Sequence, residues 1–147
     1  MLGELSQLIP EHSNFPKKGV IFRDVLPLLQ KPETFAALIK KMAQSEIVGR
    51  SDAILAIDSR GFIFGTALAL KLSKPMVVAR KIGKLPGELF TRTYNLEYGE
   101  NSLSIQKEAL KRYQSFVIAD DLLATGGTVR CVSEILTASK NLSLFYA

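Results

Sequence analysis

The chain has 147 residues, of which 47% are hydrophobic and 22% charged, as expected for one soluble globular domain with a sizeable core. The sequence contains no apolar run near the roughly 20 residues of a membrane span and no signal-peptide pattern at its start. Cys131 is the only cysteine, which excludes an intrachain disulfide and fits a cytoplasmic location. The net charge of +5 is dispersed along the chain, which favours a small polyanionic substrate over nucleic acid.

The first half of the chain begins with a loop segment over residues 1–31, broken by prolines and a glycine. Apolar residues at helical spacing predict one amphipathic helix over 32–47. The run AILAI at 53–57 is typical of a short buried strand, and a helix is expected from Gly61 onward. A second strand is predicted at 76–80.

The second half of the chain begins with a polar, glycine-bearing stretch that has weak strand signals near 91–95 and 102–106. The apolar run at 115–120 predicts another buried strand, and a helix should follow over 126–139. The final segment NLSLFYA alternates like a last strand.

The alternation of strands and helices predicts an α/β fold with a largely parallel central sheet flanked by helices. Ligands of such sheets bind outside the carboxyl ends of the strands. Three turns should share that edge, with the sequences DSRGF, KIGKLPG and DDLLATGGT.

The turn from Thr125 to Thr128 has the character of a phosphate cradle. Backbone N–H groups at the start of the following helix favour an anion, and the two glycines allow close approach. No lysine follows the glycines, so the turn is not a Walker loop. The alternative is a helix cap with a glycine turn.

Asp120 and Asp121 are adjacent carboxylates at the end of a predicted buried strand. Beside a phosphate cradle they predict a sugar-phosphate site, in which carboxylates bind ribose hydroxyls and backbone amides bind the phosphate. They could also help to hold Mg²⁺, directly or through water and together with substrate oxygens. The alternative is one solvent-facing aspartate and one at a helix start.

A second anion site is predicted where Asp58, Ser59 and Arg60 precede a helix start. More positive charge follows the strand at 76–80, from Arg80, Lys81 and Lys84, although a solvated basic loop is the alternative. Two anion sites at one edge of the sheet suggest a substrate with phosphate at both ends.

These residues carry a resemblance to a known family. The stretch VIADDLLATGGT resembles the phosphoribosyl diphosphate signature of the type I phosphoribosyltransferases. Four further stretches, in chain order, resemble the adenine phosphoribosyltransferases within that group: FPKKGVIFRDV, DSRGFIFG, RKIGKLPG and LEYGENSLSIQKEAL. The resemblance covers residues from about 14 to 135.

The resemblance implies a Mg²⁺-dependent transfer of the 5-phosphoribosyl group from phosphoribosyl diphosphate to adenine, giving AMP and diphosphate in purine salvage. It implies a homodimer in the cytoplasm, with no membrane or nucleic-acid partner. It also implies a single phosphoribosyltransferase domain over 1–147, in which residues 1–31 form a small N-terminal hood and 81–104 a flexible lid.

The resemblance also implies roles for individual residues. Asp120 and Asp121 would meet the ribose hydroxyls and stabilise its developing positive charge, and Glu97 in the lid is the candidate proton acceptor. The 5′-phosphate would be enclosed by Ala124, Thr125, Gly126, Gly127 and Thr128. The diphosphate would face Asp58, Ser59, Arg60, Arg80, Lys81 and Lys84, with Arg60 also close to the base. Adenine would stack on Phe22 and be read by backbone groups of Ile21 and Arg23, under a lid that includes Tyr98.

Family members usually continue beyond the point where this sequence stops, so a truncated or naturally short form is expected. Other hypotheses remain open: transfer to another purine base, a non-catalytic regulator that binds phosphoribosyl diphosphate, and an inactive truncated form. A plain dinucleotide-binding domain is excluded because no GxGxxG motif follows a strand.

Overall fold

The computed structural model of the chain describes Leu5, residues 7–96 and residues 99–144. The chain divides into two compact units, residues 1–41 and 42–147. In the first unit, strand β1 (Glu11–Ser13) pairs antiparallel with strand β2 (Ile21–Arg23). A short helix α1 (Leu26–Leu29) and most of helix α2 (Pro32–Ala43) follow.

The second unit contains the remaining strands and helices. Its strands are β3 (Ala53–Ile57), β4 (Met76–Lys81), β5 (Leu89–Leu96), β6 (Gly99–Gln106), β7 (Ser115–Ala119) and β8 (Leu142–Leu144). Its helices are α3 (Glu46–Arg50), α4 (Gly61–Leu72), α5 (Lys107–Arg112) and α6 (Gly127–Ala138).

The sheet of the second unit has six strands in the order β5-β6-β4-β3-β7-β8. Strand β3 lies between β4 and β7, and both pairs are parallel, with Leu55 opposite Val77 on one side and Ile118 on the other. The hairpin β5–β6 joins antiparallel to the end of β4, where Arg80 is opposite Ser104. The prediction of a largely parallel α/β sheet is therefore confirmed, with an antiparallel hairpin at one edge.

Both faces of this sheet are buried under helices. Because successive residues of a strand point to opposite faces, Leu55 and Ile118 pack in one cluster while Ile54 and Val117 pack in another. The first cluster includes the α6 residues Cys131, Val132, Ile135 and Leu136, and the second includes Leu68 and Ala69 of α4. Layers of helices on both sides explain why β3 and β7 are continuous apolar runs.

Helix α4 lies unusually close to the sheet. A Cβ on Gly65 would come within 2.5 Å of the Cβ of Ala56, so a side chain at this position would force the helix away from β3. This close approach carries the start of α4 to the carboxyl ends of β3 and β7, which is the edge where ligands of such sheets bind.

The predicted helix over 32–47 is wrong in its extent. Helix α2 ends at Ala43 and α3 begins at Glu46, while Ser45 between them has an extended backbone with φ −67° and ψ 130°. A serine in this conformation directly before a helix is typical of an N-cap residue. Helix α5, helix α1 and the β1–β2 ribbon were not predicted. Among the described residues, no helix has the length and apolar character needed to cross a bilayer.

Candidate active site

The turn after β3 places a buried carboxylate beside basic groups from β4. The Asp58 side chain is 9% exposed, and its Oδ2 accepts hydrogen bonds from Arg80 Nε at 3.2 Å and from the Lys81 backbone N–H at 3.4 Å. The Asp58 N–H donates to the Ala79 carbonyl at 2.9 Å. Asp58 therefore ties the ends of two parallel strands together, and the peptide bond that follows it, to Ser59, is cis.

The turn after β7 carries the two adjacent aspartates. The Asp121 backbone N–H donates to Asp120 Oδ1 at 2.9 Å, and Asp121 Oδ2 lies 2.8 Å from Arg60 Nε. The two groups form an ion pair, but they are not aligned for a hydrogen bond. Since the Asp121 side chain is only 7% exposed, Arg60 provides the positive charge that makes a buried carboxylate tolerable there.

The pKa of the neighbouring Asp120 carboxyl group is raised by its surroundings. The pKa of Asp120 is raised to about 7, first by removal of the carboxyl group from water and then by the Asp121 side chain, while the Asp121 N–H and Arg60 act in the opposite direction. The Asp120 carboxyl group therefore titrates near neutral pH. A carboxyl group with a pKa shifted this far in a cavity is typical of a functional site.

The anion cradle is predicted at the start of α6. Gly126 occupies the N-cap position with φ +79°, which a glycine adopts without strain. The Gly127 N–H donates to Thr125 Oγ1 at 3.4 Å. No acidic residue lies in the first turn of this 12-residue helix, so the partial positive charge of its N-terminus is not neutralised from within.

These turns meet at a cavity of about 270 Å³ at the carboxyl ends of the strands. Its lining includes seven of the residues predicted from the sequence: Asp58, Ser59, Arg60, Lys81, Asp120, Asp121 and Thr128. The expectation that three turns share one edge is therefore confirmed as geometry. The roles of the individual residues stay predictions.

Six other predicted residues of the second unit do not line this cavity: Arg80, Lys84, Ala124, Thr125, Gly126 and Gly127. Arg80 is nevertheless held at its border by Asp58, with its guanidinium carbon 5.8 Å from the centre of the Phe62 ring and its Nη1 donating to the Lys84 carbonyl at 3.5 Å. The loop that contains Lys84 is therefore connected to the cavity through Arg80.

The residues predicted to bind adenine form β2 in the first unit. The Phe22 ring packs edge-on against Phe15 with 5.1 Å between the ring centres, and Arg23 Nε donates to Glu11 Oε1 at 2.9 Å. Ile21 is largely exposed. Their role in base binding stays a prediction. Glu97 and Tyr98 lie outside the described residues.

Two polar residues of the cavity were missed in the sequence. Tyr94 and Asn101 lie directly opposite each other on β5 and β6, and both line the cavity. The sequence carries no local motif for them, because their place depends on the register of the hairpin and on its pairing with β4.

Two carboxylates of the cavity are candidate ligands for a metal ion. Asp120 and Asp121 present carboxylate oxygens to the cavity, but among the described residues no three side chains of the metal-ligating types cluster closely enough to hold an ion. This set suits Mg²⁺, which is commonly bound through one or two carboxylates with the remaining positions filled by water and substrate phosphate oxygens.

Comparison with known proteins agrees with this geometry. Residues 28–142 match the family described as the phosphoribosyl transferase domain. An adenine phosphoribosyltransferase of Prochlorococcus marinus (strain MIT 9211) is 66% identical over 136 residues, which are 92% of this chain and 79% of that protein. The chain belongs to the adenine phosphoribosyltransferase family.

Solved structures of adenine phosphoribosyltransferases share its fold. The crystal structure from Thermoanaerobacter pseudethanolicus superposes with a TM-score of 0.90 at 39% identity, covering 99% of this chain and 86% of that one. The enzyme from Saccharomyces cerevisiae, solved in complex with an imino-altritol bisphosphate and adenine, gives 0.86 at 38% identity, covering 97% of this chain and 85% of that one. The prediction that this chain has the fold of the type I phosphoribosyltransferases is thereby confirmed.

Proposed function

We propose that the chain transfers the 5-phosphoribosyl group of phosphoribosyl diphosphate to adenine, releasing AMP and diphosphate, at the cavity where β3, β4 and β7 end. The observation that carries this proposal is the convergence of Asp120, Asp121 and Arg60 with Thr128, in the first turn of α6, in one cavity. Family membership supplies the reaction, and the Saccharomyces cerevisiae relative is known in complex with adenine.

The ribose is assigned to the two aspartates. Their carboxylates would accept hydrogen bonds from its hydroxyl groups. Breaking the bond between C1 and the diphosphate leaves a ribose with cationic character. Negative charge on Asp121, fixed in position by Arg60 at 2.8 Å, stabilises that developing charge because its orientation is set before the reaction begins.

The two ends of the substrate are assigned to the two anion sites. The 5′-phosphate would bind at Ala124–Thr128, where the N-terminus of α6 offers backbone donors. The diphosphate would bind at the turn Asp58–Ser59–Arg60, with Arg80, Lys81 and Lys84 supplying positive charge. In the structure Arg60 and Arg80 each pair with an aspartate, so their guanidinium groups are already oriented before an anion arrives.

The assignments of the adenine-binding residues and of the lid rest on the resemblance alone. Adenine is assigned to the Phe22 ring and to the backbone of Ile21 and Arg23, within a hood formed by residues 1–31. A lid is proposed within residues 81–104, with Glu97 as proton acceptor and Tyr98 beside the substrate, while the part of the hairpin that pairs with β4 and packs on the core stays in place. A closed lid would keep water from hydrolysing the activated sugar.

Mg²⁺ is proposed as the required ion. Asp120 and Asp121 would hold it directly or through water, together with oxygens of the substrate, in keeping with the absence of a complete ligand cluster among the described side chains. When bound, the ion neutralises the charge that develops on the departing diphosphate.

A homodimer in the cytoplasm is proposed for the working enzyme. A single cysteine, Cys131, buried in α6, is compatible with a reducing compartment. Light scattering coupled to size exclusion would give twice the chain mass for a dimer and the chain mass of 16.2 kDa for a monomer.

The function is tested by incubating the purified chain with Mg²⁺, phosphoribosyl diphosphate and one of adenine, hypoxanthine or guanine. AMP from adenine, with little nucleotide from the other bases, is the expected result. Nucleotide formed mainly from hypoxanthine or guanine would reassign the base. A folded chain that binds phosphoribosyl diphosphate but forms no nucleotide would instead be a regulator or an inactive form.

A further inference from the structure

Strand β5 is docked along one face of α6 by three contacts. The Thr128 hydroxyl donates to the Tyr94 hydroxyl at 3.4 Å, the Cys131 thiol donates to the Arg92 carbonyl at 3.5 Å, and Arg92 Nε lies 2.6 Å from Glu134 Oε2. The helix residues in these contacts are spaced by three, so they lie on one side of the helix. The contact nearest to the start of α6 is the one made by Tyr94.

Tyr94 packs on the core with its ring and contacts the anion cradle with its hydroxyl. Its ring is partly buried and packs against the core cluster that contains Cys131 and Val132, whereas the residue as a whole lines the active-site cavity. A Cβ on Gly127 would lie 3.6 Å from Tyr94 Cδ2, so the ring also flanks the first residue of the helix. The aromatic body is thus held in place while its hydroxyl lies beside the cradle.

The hydrogen bond with Thr128 orients that hydroxyl. A phenol oxygen that accepts a bond still has its own proton to donate. A phosphate group at the start of α6 is an acceptor with several oxygens, and a donor whose position is fixed in advance loses little conformational entropy on binding it.

We propose that Tyr94 is a phosphate-binding residue of this enzyme, whose hydroxyl donates to the 5′-phosphate held at the start of α6. The inference rests on the proposed function, because it uses the assignment of the 5′-phosphate to this cradle. It adds to the cradle a donor from the hairpin β5–β6, which lies outside the signature sequence of residues 117–128.

The decisive variant is Tyr94→Phe, which removes the hydroxyl and keeps the ring that packs on the core. Ribose 5-phosphate and diphosphate serve as separate probes of the 5′-phosphate site and the diphosphate site. Calorimetric binding of ribose 5-phosphate should weaken about tenfold, as expected for loss of one hydrogen bond to a charged group. Binding of diphosphate should change less than about twofold, and the KM for phosphoribosyl diphosphate should rise while the KM for adenine stays unchanged.

The matched control is Glu134→Gln, which removes the ion pair with Arg92 at the other end of the same β5–α6 contact. It should bind ribose 5-phosphate like the wild type. An equal loss in both variants would show that Tyr94 acts only by packing β5 on α6 and would overturn the proposal.

A double-mutant cycle tests the link to Thr128. Because the Thr128 hydroxyl orients the Tyr94 hydroxyl that binds the phosphate, Tyr94→Phe combined with Thr128→Val should weaken ribose 5-phosphate binding by less than the product of the single effects. Unchanged binding in Tyr94→Phe, with a wild type that binds ribose 5-phosphate and forms AMP, would overturn this inference alone. A wild type that binds no ribose 5-phosphate and forms no AMP would overturn the proposed function as well.

Discussion

Gly61 at the start of α4 lies against Asp120 at the end of β7. A Cβ on Gly61 would come within 2.8 Å of the Ala119 carbonyl oxygen and 3.0 Å of Asp120 Oδ1. Such distances leave no room for a side chain unless the helix or the turn moves. The absence of a side chain at Gly61 therefore helps to set the position of the carboxylate assigned to the ribose.

Gly61→Ala should damage both the fold and the site. The added methyl group must displace backbone at the end of β7, which we expect to cost about 1–3 kcal/mol of unfolding free energy. Displacement of Asp120 should also lower the rate of AMP formation by at least about tenfold, since displacements of about 1 Å are costly in catalysis. Urea denaturation and a steady-state assay measure the two effects.

The control for that variant is Gly49→Ala in α3. A Cβ there would meet no atom within 4 Å, and alanine is about 0.5–1 kcal/mol more favourable than glycine inside a helix. The stability of this variant should be equal or higher and its activity unchanged. Equal stability and activity in Gly61→Ala and the wild type would show that the close contact at Asp120 does not matter.

Arg60→Met should destabilise the chain by about 1–3 kcal/mol, because it leaves the buried Asp121 carboxylate without its charge partner. AMP formation should also fall strongly. Arg50→Met is the comparison, since Arg50 and Glu46 form an ion pair whose side chains are 75% and 84% exposed. That change should stay within about 0.5 kcal/mol, as measured by urea midpoints, and an equal effect of both variants would contradict the importance of the buried pair.

The raised pKa of Asp120 predicts a pH-dependent effect of Asp120→Asn. A carboxyl group whose pKa is about 7 in the folded chain and 3.8 in the unfolded chain favours folding while it is protonated. That contribution is present below about pH 4 and is lost as the pH rises to about 7. Asp120→Asn, which stays neutral, should therefore gain stability relative to the wild type from pH 5 to pH 8.

Urea denaturation of both proteins at several pH values measures this difference. The gain should be larger at pH 8 than at pH 5, and a difference that does not change with pH would contradict an Asp120 carboxyl group that titrates near neutrality.

Removal of Mg²⁺ with EDTA should abolish AMP formation, and added Mg²⁺ should restore it. The melting temperature of the chain without substrate should not change, because the described residues contain no three-ligand cluster that would bind the ion alone. A lowered melting temperature after EDTA treatment would indicate a metal site formed by the protein itself.

The extent to which the sequence predicted the structure depended on the range of the interactions. The strand over 53–57 was predicted with its observed bounds because an unbroken apolar run is typical of a strand buried on both faces. The break near Ser45 was missed because apolar residues continue at helical spacing through it, from Met42 and Ala43 to Ile47 and Val48.

In the candidate site, too, residues in local motifs were predicted and residues placed by long-range contacts were not. The signature around Asp120, Asp121 and the glycine turn is local in sequence, and so it could be recognised without a structure. Tyr94 and Asn101 could not, since they reach the cavity only through the antiparallel register of β5 and β6 and the pairing of Arg80 with Ser104. That arrangement is set by tertiary contacts.

The most direct test of the central claim compares AMP formation by the wild type and by Asp121→Asn, with Glu108→Gln as a surface control. Glu108 forms exposed ion pairs on α5. We expect AMP and diphosphate in equal amounts from adenine for the wild type and Glu108→Gln, and a rate about 10²-fold lower for folded Asp121→Asn. Full activity in Asp121→Asn, or no AMP from the folded wild type, would contradict the assignment of phosphoribosyl transfer to this cavity.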